Sequence, residues 1–187
     1  MKVLIIDNND SFTYNLKHYV SQFVDYVDVI RYNIVNLKDI RFYDKIIISP
    51  GPGLPNEYPI LHSILSKYAH SKSIFGICLG QQSIVEFYGG KLHNLSMPLH
   101  GVTSELRHLD NCILYKDIPL IFRAAHYHSW VVSNDDFPEE IEITSLNEDG
   151  LIMSIKHKLY DVKGVQFHPE SVLAEYGLKM IRNWLNY

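Results

Sequence analysis

The chain has 187 residues, 47% of them hydrophobic, enough for one domain (residues 1–187) with a substantial core. A formal charge of −4 and a pI near 6.2 leave no electrostatic footprint for nucleic acid or an anionic membrane. Two cysteines, Cys78 and Cys112, do not suggest a disulfide framework, and the expectation is a soluble cytoplasmic protein.

The first apolar run, residues 3–6, is cut short by Asp7. It is too short for a signal-peptide core or a membrane span and reads as a strand covered on both faces. A polar loop, residues 7–11, offers helix N-cap side chains, and Phe12, Leu16, Tyr19, Val20 and Phe23 then recur at helical spacing. Residues 27–32 and 45–49 read as the second and third strands. A helix around 60–68 leads into a fourth strand at 73–77. Strands alternating with helices predict a mostly parallel open sheet with helices on both faces.

From Gly89 the texture changes. Short β-prone runs near 90–95, 102–106, 126–132, 141–145, 152–157 and 162–167 are joined by Gly, Pro, Asn and Asp. They predict a smaller, partly antiparallel sheet appended to the α/β core. Apolar residues at 173, 180, 181, 184 and 185 predict a closing helix, in whose interior Gly177 would cost about 1 kcal/mol relative to alanine. The fold class is α/β.

Chemistry concentrates at predicted strand ends. Gly76-Ile77-Cys78-Leu79-Gly80 follows a strand and precedes a helix, the setting of a nucleophile elbow. There a helix N-terminus favours a thiolate at Cys78, and the N–H of Leu79 points to where an oxyanion would form. Ser49-Pro50-Gly51-Pro52-Gly53 follows the third strand and brings Gly53 as a second oxyanion donor. His168 and Glu170, two residues apart after another apolar run, supply a general base and the carboxylate that orients it. Gln82 lies one helical turn beyond Cys78, on the same face, where it can hydrogen-bond a substrate.

Each motif alone has an ordinary explanation, namely a core cysteine, a turn and a ligand-free loop. Their coincidence at strand ends favours a cysteine-based acyl-transfer site. Ser11 to Asn15 suggests a flavodoxin-like phosphate loop as a rival, but Asp7 and Asp10 would repel a phosphate. Another cysteine hydrolase, acting on γ-glutamyl substrates, is a second. A metal site built from His100, His126 and His128 is a third, and polar strand residues explain those histidines more simply.

Gly-Ile-Cys-Leu-Gly-Gln-Gln (76–82), Ser-Pro-Gly-Pro-Gly (49–53) and Gly-Val-Gln-Phe-His-Pro-Glu-Ser (164–171) resemble the three signatures of class I, triad-type glutamine amidotransferases. Segments 7–15, 100–104, 127–129 and 175–177 are similar to one branch of that family. It comprises the amidotransferase subunits of anthranilate synthase (component II) and aminodeoxychorismate synthase. The resemblance implies hydrolysis of L-glutamine to glutamate and ammonia, with no cofactor in this chain. The ammonia would pass to a chorismate-using synthase large subunit (component I). It implies Cys78 as nucleophile, His168 and Glu170 completing the triad, and Gly53 and Leu79 as the oxyanion hole. Gly51, Pro52, Gly53, Gln82, Ser129 and Trp130 would form the glutamine site. Gln81, Val102 and His126 depart from the residues usual at their positions.

Overall fold

The computed structural model describes residues 1–109 and 112–187. Five strands run parallel in the order β2 (Tyr26–Arg31), β1 (Lys2–Asp7), β3 (Lys45–Ile48), β4 (Ser73–Ile77) and β9 (Val162–Val165). The sheet continues antiparallel through β8 (Ile152–His157), β7 (Ile141–Asn147), β5 (Leu92–His108) and β6 (Ile121–Val132). The antiparallel part is therefore joined edge to edge with the parallel part, where Ile155 pairs with Gly164, in one nine-stranded sheet.

Strand β1 shows why its run is apolar without alternation. Val3 and Ile5 face one core with α1 (Thr13–Val20) and α4 (Gly177–Leu185). Leu4 and Ile6 face a second core with α2 (Pro59–Tyr68) and α3 (Leu79–Phe87). All four side chains are fully buried, as expected of a strand covered on both sides.

Two local expectations change. The runs at 90–95 and 102–106 belong to one 17-residue strand, β5, whose register with β6 shifts between Asn94 and Leu99 and again between His100 and Val102. Such irregularities bend a strand without ending it, which a run of side chains does not reveal. Gly177 does not interrupt a helix but begins one, after Tyr176 at φ 58°. What that position needs is small size, because a Cβ there would lie 1.8 Å from the carbonyl oxygen of Pro169.

The parallel register sets up the site. Ile48 pairs with Gly76, and Ile77 with Val165, so the loop after β3, the turn after β4 and the segment after β9 emerge side by side. Ligands of open α/β sheets bind at this edge, beyond the carboxyl ends of the strands.

Candidate active site

Cys78 sits at φ 52° and ψ −103°, a conformation L-residues rarely adopt, between the end of β4 and the start of α3. The turn is tight enough that a Cβ on Gly76 would lie 2.5 Å from the backbone of Gly80. One on Gly80 would lie 2.4 Å from the Ile48 carbonyl oxygen. The elbow is tied to β9 by the Cys78 N–H, which donates to the Val165 carbonyl at 2.7 Å.

The catalytic histidine and carboxylate expected from the sequence meet. His168 Nδ1 lies 2.7 Å from Glu170 Oε1, and both side chains are essentially excluded from solvent. The His168 main-chain N–H donates to Ala125 of β6 at 3.0 Å, which fixes the segment against the antiparallel part of the sheet. Burial opposes a charge on His168, but the Glu170 carboxylate and the Cys78 side chain outweigh it and hold its pKa well above the usual histidine range. The His168 Nε2 atom is buried and has no well-aligned hydrogen-bond partner among the described residues. Phe12 and Tyr127 pack on the ring, with centroids 6.3 and 5.1 Å away.

Two cavities share Cys78, Gly51, Pro52 and Tyr127. The smaller, about 190 Å³, is also lined by Gly53, Gln82, His128, Ser129 and Trp130. It therefore gathers every residue implied for the glutamine site. The larger, about 500 Å³, lies on the His168 side, with Asp10, Phe12 and His100 in its wall. Burial raises the Asp10 carboxyl against the opposing Phe12 N–H and the His168 charge.

The loop at 49–53 is held from below. Asn8 N–H donates to Ser49 Oγ at 2.9 Å, and Asn8 Nδ2 donates to the Ser49 carbonyl at 2.8 Å. Tyr58 OH donates to the Pro52 carbonyl at 2.8 Å. Gly53 has φ +71°, open to glycine and strained for other residues. Leu79 opens α3, so its N–H is among the helix's first donors, which have no partner within the helix.

Gln82 lines the smaller cavity together with Cys78, and its amide nitrogen is already engaged there. Its Nε2 donates to the Trp130 carbonyl at 2.9 Å and to Gln166 Oε1 at 3.2 Å, so its amide nitrogen braces the cavity wall. His126 and His128 form a buried pair, Nδ1 to Nε2 at 3.2 Å, with Ser104 Oγ 2.7 Å from His126 Nε2. Burial and the His168 charge push His126 down to about 4. Burial, with His126 and His168, pushes His128 down to about 3. His100 packs instead on the Tyr127 ring, and among the described residues no group of three or more His, Cys, Asp or Glu side chains is gathered for a metal ion. The sequence reading passed over Asn8, Gln166, Phe12 and Tyr127 as site residues. All four lie inside segments that carry the family resemblance, at 7–15, 127–129 and 164–171, but no local pattern marked them individually.

Comparison with known proteins identifies the family. The family model for glutamine amidotransferase class-I matches residues 4–186. An anthranilate synthase component 2 from Pyropia yezoensis is 42% identical, covering 99% of both chains. A multifunctional tryptophan biosynthesis protein from Phycomyces blakesleeanus is also 42% identical, over 100% of this chain and 25% of that one. A solved structure from Thermoplasma acidophilum, described as one subunit of a GMP synthase, superposes with a TM-score of 0.89. It covers 100% of this chain and 92% of that one, and at 18% identity the likeness is one of fold. The chain belongs to the class-I glutamine amidotransferase family and is a glutamine amidotransferase. No helix among the described residues is long and apolar enough to cross a membrane.

Proposed function

We propose that this chain is the glutaminase subunit of a chorismate-using synthase and that Cys78, His168 and Glu170 carry the reaction. The thiolate of Cys78 attacks the side-chain carboxamide carbon of L-glutamine, and the developing oxyanion takes N–H donors from Gly53 and Leu79. His168, protonated by the thiol, returns that proton to the departing nitrogen, so ammonia leaves and a glutamyl thioester remains. Water, deprotonated by His168, then attacks the thioester; the thiolate departs and glutamate is released. Glu170 holds the ring's tautomer and offsets its charge throughout.

The observation that carries this reading is the pair of cavities meeting at one sulfur. The 190 Å³ pocket is below the usual range for larger organic ligands and suits a free amino acid better than a γ-glutamyl peptide. Ammonia would emerge on the other side, into the 500 Å³ chamber beside its proton donor. No cofactor is required in this chain. The names of its relatives favour the anthranilate (tryptophan) route over the aminodeoxychorismate (folate) route. The rival phosphate loop is disfavoured because Phe12 packs against the His168 ring and Thr13 donates to Asp7 at 3.0 Å.

The test is co-purification with the chorismate-using synthase partner, followed by measurement of glutamate, ammonia and the aromatic product. Glutamine-dependent anthranilate formation is expected, abolished by Cys78→Ala and restored by added ammonium salt. Turnover that survives Cys78→Ala would overturn the reading.

A further inference from the structure

Beside the three expected catalytic side chains lies a fourth polar group on the same sulfur. Gln166 is fully buried at the end of β9, and its Nε2 lies 3.4 Å from Cys78 Sγ. The two ends of a side-chain amide are told apart by their hydrogen-bond partners. Here the main chain decides. The Trp130 carbonyl can only accept, so the Gln82 atom 2.9 Å from it must be the nitrogen. That nitrogen also faces Gln166 at 3.2 Å, so the Gln166 atom there must be the oxygen. The remaining end of the Gln166 amide, an N–H donor, is then turned onto the sulfur.

The geometry points to Gln166 as a further catalytic residue: a neutral donor, polarised from the Trp130 carbonyl through Gln82, that stabilises the Cys78 thiolate. This rests on the glutaminase reading above. Two consequences follow from the direction of the donor. A hydrogen bond to the charged form of a group favours that form. In addition, a thiol hydrogen cannot point at an N–H, so it is turned away from Gln166. His168 Nε2, buried and without a well-aligned partner among the described residues, is available to receive it. The donor thus acts in the step in which sulfur loses its proton and gains the carboxamide carbon, and neither bonds nor protons are exchanged with Gln166 itself.

The test uses the whole chain and iodoacetamide, a neutral electrophile, with labelling of Cys78 followed by mass spectrometry from pH 5 to 10. Gln166→Met keeps length and bulk but removes the donor. At pH 7 the variant is expected to be alkylated about five- to tenfold more slowly than the parent, with the two rates converging near pH 10. With the synthase partner, kcat for glutamine falls about tenfold while KM changes less than twofold. Superimposable pH–rate curves for a folded variant would overturn the proposal. Should Gln166→Met not fold, the parent protein still decides the matter. With glutamine side-chain amides labelled with nitrogen-15, alkylation of Cys78 is expected to shift the Gln166 resonance, and an unmoved resonance counts against the contact. Failure of the parent to hydrolyse glutamine with its partner would remove the glutaminase reading and leave the alkylation profile to judge Gln166.

Discussion

The imidazole of His168 and the carboxylate of Glu170 meet at 2.7 Å, although only Pro169 separates them in the chain. Both are buried, so the contact is shielded from water and salt. It fixes the orientation of the ring and alters how the fold responds to pH.

Because the His168 pKa is raised in the folded state, protonated His168 stabilises the fold. That contribution is complete below the unfolded value near 6.5 and is lost as pH rises through the higher folded value. Glu170→Gln is therefore expected to destabilise the protein by about 2 kcal/mol at pH 6 and by less at pH 9. Urea unfolding at both pH values measures the difference. The same variant should lose at least about a hundredfold in kcat, because the ring's tautomer is no longer enforced.

His126 and His128 respond in the opposite direction. Their folded pKa values, about 4 and about 3, lie below the unfolded value, so acidification favours the unfolded chain between pH 6.5 and 4. Each unit of such a shift corresponds to about 1.4 kcal/mol. His126→Asn is expected to lose less stability than the parent between pH 7 and 5, by about 1 kcal/mol, in paired denaturant titrations.

The two thiols should differ sharply toward an electrophilic glutamine analogue. Cys112 is buried away from the site, and burial pushes its thiol up. Mass spectrometry is expected to find one adduct, on Cys78. Labelling of Cys112 at a comparable rate would contradict the placement of the glutamine pocket.

Gly177→Ala should disturb catalysis from outside the cavities. The added methyl would be driven into the Pro169 carbonyl at 1.8 Å, and Pro169 joins His168 to Glu170, the proposed base and its carboxylate. Overpacking of this kind costs about 1–3 kcal/mol. We expect a lower unfolding midpoint and at least a tenfold drop in kcat, read by thermal unfolding and glutamate release.

Gln81 offers the reverse effect. Among the described residues, both atoms of its amide are buried without a hydrogen-bond partner. Gln81→Met removes an unsatisfied polar group at nearly constant shape and is expected to raise stability by about 1 kcal/mol. Activity should stay within twofold, because Gln81 lines neither cavity.

Much of the architecture was written in the chain. The uninterrupted apolar runs of β1, β3 and β4 announced strands covered on both faces, because a residue pointing either way must be buried. The Gly-x-Cys-x-Gly spacing announced an elbow, because only glycine fits where the start of α3 folds back against β4 and β3. The placing of Cys78, Gly53, His168 and Glu170 just beyond strand ends was legible for the same reason: their local turns sit in short, contiguous segments. What the tertiary structure alone decided depends on strands brought together from distant parts of the sequence. The pairing of β4 with β9 sets Cys78 beside Gln166, 88 positions away, and makes an amide a partner of the sulfur. The approach of α4 to Pro169 turns Gly177 from an apparent helix breaker into a contact point. The bends in β5 carry it past an apparent gap. Local periodicity records which face of an element is apolar, whereas strand order and register, fixed by packing of the whole sheet, determine which faces meet.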